Sequence, residues 1–140
     1  MTDGKNVEKQ YEKITVNLPA VDLGKIDYLV DQGFYNTRTE FIRTSIKNEI
    51  DKNAFVIDRV IREEEGKEGT YFAIGILHLS KNNLERYLRA NKKVSIFVIG
   101  MFFIDKDVTV GLVKNTIKSF TAYGMKRGPK EVLEYLKGIQ

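Results

Sequence analysis

The 140-residue sequence predicts an α+β protein in two parts: a strand and two helices within 13–53, then a β-α repeat domain over 70–140 with about three strands, taken as parallel. Three patterns predict it. Ile14, Val16 and Leu18 alternate with Lys13, Thr15 and Asn17, the period of a strand with one apolar and one polar face. Val21, Ile26, Leu29 and Val30, and then Phe41, Ile42, Ile46 and Ile50, recur at helical spacing. Finally, an aromatic residue, a glycine and an apolar residue recur around Gly75, Gly100 and Gly124.

Residues 1–12 are polar and lack apolar periodicity, which predicts a flexible arm. The strand at 13–18 is too short to bury its own apolar face. A second copy of the same strand, supplied by a second chain, is the nearest solution. A two-stranded ribbon fits the major groove of B-DNA, where Lys, Thr and Asn can all bond base edges. Pro19 removes a ladder donor and suits a helix entry. The first helix stops naturally at Gly33, and Gly24 inside it should weaken it by up to ~1 kcal/mol relative to alanine. Thr37-Arg38-Thr39-Glu40 reads as a capping box opening the second helix. The amides at that start can hold a phosphate, with Arg38 or Thr39 assisting; equally, Thr37 simply caps and Arg38 is solvated.

Residues 54–61 are open between the two periods. Ala54, Ile57 and Ile61 continue the helical stripe, whereas Phe55-Val56-Ile57 suits a strand. The charged, glycine-bearing run that follows reads as a loop, so 54–69 is expected to be a connector. Each later strand-like unit precedes a helical one: Ser80 can cap a helix with Leu84, Tyr87 and Leu88, and Asp107 or Thr109 one with Leu112, Val113 and Ile117. Gly128-Pro129 opens the last, with Val132, Leu133, Leu136 and Ile139. Such a repeat suggests parallel strands with right-handed crossovers and a middle strand covered on both sides. The repeated glycines either line a ligand groove or mark bulges and tight strand packing.

Charge is unevenly placed. The net +4 divides into −1 over residues 1–53 and +5 over 54–140, so the strand-helix-helix part is not basic overall. Arg86, Arg89, Lys92 and Lys93 form a basic cluster that either steers DNA or an acidic partner or is a solvated helix face. The absence of cysteine excludes disulfides and thiolate metal sites and fits a reducing cytoplasm. The most apolar run, Val94 to Ile104, is half the ~20 residues of a spanning helix, so no membrane partner is expected. His78 is the single histidine, no cluster has metal-ligand spacing, and Glu63-Glu64-Glu65 reads as a solvated stretch. No phosphate loop or nucleophile elbow is present; the expectation is no cofactor, no metal and no enzyme.

The run Lys13-Ile-Thr-Val-Asn-Leu-Pro19, then Lys25-Ile-Asp-Tyr-Leu-Val30, then Gly33-Phe-Tyr-Asn-Thr-Arg-Thr-Glu-Phe-Ile-Arg43 resembles ribbon-helix-helix proteins of the CopG/MetJ/Arc type over residues 12–53. The resemblance implies a homodimer whose strands pair antiparallel and enter the major groove. It implies base contacts from Lys13, Thr15 and Asn17 and phosphate contacts from Asn36, Thr37, Arg38 and Thr39. The implied function is a sequence-specific, double-stranded-DNA-binding transcriptional regulator of the cytoplasm, a repressor. The alternative is the antitoxin of a toxin–antitoxin pair whose carboxy-terminal part binds the toxin. In the regulator reading, residues 70–140 are an oligomerisation or effector module.

Overall fold

A computed structural model describes residues 11–140 of the chain. The arm expected over 1–12 lies outside the described residues except for its last two positions. Six helices and three strands are present among the described residues, and they divide into two compact units, Lys13–Arg62 and Glu63–Gln140.

In the first unit, residues 13–19 belong to no helix and to no ladder among the described residues. Helix α1 spans Ala20–Asp31 behind Pro19. It ends in a Schellman pattern: the Gly33 amide donates to the Val30 carbonyl at 3.0 Å and the Phe34 amide to Leu29 at 3.0 Å. Gly33, at φ 81°, supplies the left-handed residue that this stop requires. Helix α2 spans Arg38–Lys52, and its Thr37 hydroxyl accepts from the Glu40 amide at 3.0 Å. The Glu40 carboxylate reaches one residue further back than the capping box predicts, accepting from the Asn36 amide at 2.6 Å. Tyr35 meets Phe41 edge-on with ring centroids 4.9 Å apart.

Helix α3, Ala54–Glu64, resolves the open stretch in favour of helix and runs on through Arg62, Glu63 and Glu64, where a loop was expected. Ala54, Val60, Ile61 and Glu64 fall on one half-buried side, and Arg and Glu are good helix formers, so the stripe continues until Gly66 turns the chain at φ 83°.

The second unit is a three-stranded parallel sheet in the order β1 (Thr70–Leu79), β2 (Val94–Ile104), β3 (Ile117–Arg127). Helix α4 (Lys81–Arg89) joins the first pair, α5 (Val110–Thr116) the second, and α6 (Lys130–Lys137) closes the chain. Ser80 caps α4 in a capping box with Asn83, and Thr109, rather than Asp107, caps α5. The core gathers Leu79, Ile96, Val98, Phe102, Ile104, Phe120 and Ala122 from the sheet with Leu84, Val113, Val132 and Leu136 from the helices. Alternation along β2 puts those sheet residues on one face. Strand β2 is central as expected, but the helices of this unit cover only that one face, because same-handed crossovers between adjacent strands place their helices on the same side.

Gly75, Gly100 and Gly124 lie opposite one another across the three strands. A Cβ on Gly100 would run into the Gly75 carbonyl, and one on Gly124 into the Gly100 carbonyl. The glycine repeat is thus a device for close strand approach.

Candidate nucleic-acid interface

Lys13, Thr15 and Asn17 are exposed and lie together in a segment that forms no ladder among the described residues. The alternate positions are apolar and also in solvent: Ile14 is 72%, Val16 66% and Leu18 45% exposed. The same holds for Ile42, Ile46 and Ile50 along α2. Among the described residues of Lys13–Arg62, Ile26 alone is buried. The hydrophobic residues of this unit follow strand and helix periods faithfully, yet one copy provides almost nothing for them to pack on.

The start of α2 brings Asn36, Thr37, Arg38 and Thr39 together in one exposed turn. Two of the four are already committed. The Thr37 hydroxyl caps the helix, and the Arg38 guanidinium clasps Asp27 on α1 through two hydrogen bonds, Nε to Oδ1 at 2.6 Å and the second terminal nitrogen to Oδ2 at 2.7 Å. The clasp holds the Asp27 carboxyl below its ordinary range, chiefly through the hydrogen bonds from Arg38, and raises the Arg38 guanidinium in turn. Both side chains stay about half exposed.

The remaining donors are the backbone amides. Glu40 donates to Thr37 Oγ1 and Phe41 to the Thr37 carbonyl at 3.2 Å, so the N–H groups of Arg38 and Thr39 precede the first intrahelical acceptor. Those two amides, the positive end of the helix dipole and a tethered guanidinium make a place that an anion can approach. Sequence reasoning missed Asp27. Eleven residues and a turn separate it from Arg38, and nothing in a linear pattern signals a carboxylate that orients a cation on the next helix.

The second unit shows no comparable site. His78 Nε2 sits 2.6 Å from Asp105 Oδ1, joining the ends of β1 and β2 on a half-exposed rim, with the imidazole against Phe103 at 4.9 Å. Arg86 and Arg89 lie in the last turn of α4, with Lys92 and Lys93 exposed just beyond. No helix among the described residues is long and apolar enough to cross a membrane.

No curated protein and no solved structure matches the chain. A model of the family described as the Ribbon-Helix-Helix transcriptional regulator family matches residues 9–133, across both units. With nearly the whole described chain inside that match, the protein belongs to the ribbon-helix-helix family of DNA-binding transcriptional regulators.

Proposed function

We propose that the protein is a sequence-specific repressor acting as a homodimer, in which residues 13–18 of two copies pair antiparallel and the resulting ribbon enters the major groove. Lys13, Thr15 and Asn17 of each copy read bases, and the turn at Asn36–Thr39 holds the flanking phosphates. One observation carries this reading: an apolar row, Ile14-Val16-Leu18, stands in solvent beside a polar row of base-edge donors and acceptors, in a unit with a single buried residue.

Energetics favour a partner. Burying an aliphatic side chain of this size is worth ~1.5–3 kcal/mol, so six from two copies offer on the order of 10 kcal/mol before the helices contribute. That is comparable with the ~4–15 kcal/mol lost in association, and the exposed isoleucines of α2 tip the balance. A folded core in Glu63–Gln140 favours a regulator over an antitoxin, whose tail is expected to order on its toxin.

Selection of bound sites from a random DNA pool, followed by gel-shift titration, tests the assignment. The expected outcome is a short two-part site, with Asn17→Ala losing ~1–3 kcal/mol there and tolerating changed bases at the contacted position. Unchanged affinity together with unchanged preference would remove the ribbon from the DNA.

A further inference from the structure

The sheet of the second unit has one face that no helix of that unit covers. Alternation along the strands assigns to it Phe72, Ile74 and Ile76 of β1, Phe97, Ile99, Met101 and Phe103 of β2, and Tyr123 and the buried Met125 of β3, with His78 and Arg127 at the carboxyl ends of the outer strands. The rings form a chain across the sheet, Phe72 to Phe97 at 5.7 Å and Phe97 to Tyr123 at 6.0 Å. Ile74, Ile76 and Tyr123 are 52%, 54% and 61% exposed. Parallel sheets are found almost only with both faces covered. An apolar face of three strands open to water is a partner surface.

We propose that this face packs against the same face of a second copy, giving a helix–sheet–sheet–helix sandwich. Arg127 and His78 stand beside Phe103 at one end of this face and its middle carries no charge, so a strongly charged partner finds little complement there, whereas an apolar surface is complementary to itself across a two-fold axis. Extent decides how the contact is held. Three strands ~4.8 Å apart and ten residues long at ~3.3 Å each cover ~475 Å² per copy, or ~950 Å² for the pair. That falls just short of the ~1,000 Å² a free-standing interface needs. A pair already joined through residues 13–18 meets at an effective concentration in the mM range, and then a marginal face suffices. In this the inference rests on the ribbon dimer.

The chain has no cysteine, so Ile99→Cys, in the middle of the central strand, introduces its sole thiol. The test treats that full-length variant with a bis-maleimide spanning ~10 Å, the spacing of packed sheets. The expected result is conversion of most of the protein to a covalent dimer. A Lys118→Cys control should give only traces, and adding Ile76→Glu to the Ile99→Cys chain should cut the yield at least tenfold while circular dichroism stays unchanged. Light scattering on the same samples reads the ribbon separately. A dimeric mass without cross-linking at residue 99 overturns the face contact and spares the ribbon; a monomeric mass without cross-linking overturns both. A residue-99 thiol that reacts with a monofunctional maleimide as fast in the folded protein as in the urea-unfolded chain means the face stays open to water, and that also overturns the proposal. So does cross-linking that Ile76→Glu leaves untouched.

Discussion

In the proposed DNA complex, Asp27 and Arg38 set the terms on which α2 meets a phosphate. The carboxylate positions the guanidinium beside the free amides of Arg38 and Thr39, but it also competes with phosphate for it. Asp27→Asn should therefore raise affinity for non-specific duplex DNA at low salt. It should also steepen the dependence of log K on log salt by ~0.9 for each further phosphate engaged, about two per dimer. A loss of affinity would mean that orientation outweighs competition. The pH dependence has a definite sign. The folded-state carboxyl lies below its unfolded value, so the stabilisation is present above the unfolded pKa and disappears as pH falls through the folded one. The clasp should thus hold at neutral pH and open only in acid, which the Asp27 carboxyl carbon shift in an NMR titration would report. At the neighbouring position, Thr37→Ala removes the cap that accepts from Glu40 and should lower stability by about 1 kcal/mol, read as an earlier midpoint in urea unfolding.

The elements differ in how openly the sequence announces them. Gly33, Thr37, Ser80 and Thr109 end or begin helices where stop and cap chemistry puts them, because capping is local and needs only neighbours within a few residues. The three parallel strands were legible from a repeat of about 25 residues, and the register of Gly75, Gly100 and Gly124 explains why it persists. Helix α3 was less legible. Its Phe55-Val56-Ile57 run satisfies either period, and the continuation through Arg62–Glu64 depends on half-buried neighbours that a linear pattern does not contain. The glycines of two elements behave oppositely. Gly100→Ala drives a methyl into the Gly75 carbonyl at a φ of 136° and should cost well over the ~1–3 kcal/mol of backbone strain alone, with loss of the folded sheet by circular dichroism. Gly24→Ala, whose added methyl meets no atom of the described residues beyond its own helix, should gain up to ~1 kcal/mol. If thermal unfolding shows that Gly24→Ala destabilises instead, a partner's backbone approaches α1 beside Val21 and Tyr28.

On the scale of the whole molecule, the two units pose different folding problems. Glu63–Gln140 closes a core around Phe102, Phe120, Val113 and Leu136 without help. Lys13–Arg62 keeps the periodic hydrophobic residues of a folded module but leaves Ile14, Val16, Ile46 and Ile50 in water. Individual elements could be read from the sequence because propensity and capping act within a chain. The candidate DNA-reading surface was legible only as a pattern of residue types, since the proposed ribbon would be built from two copies. Ile46→Glu, placed on the exposed stripe of α2, should therefore turn a dimer into a monomer by light scattering and abolish DNA binding, while leaving the sheet's circular dichroism in place. The pairing itself is read most directly by isotope-filtered NMR on a mixture of labelled and unlabelled full-length chains. Antiparallel pairing predicts intermolecular cross-strand contacts centred on residues 15–17 of both copies. Contacts confined to one copy, or helical shifts over Lys13–Leu18, would contradict it.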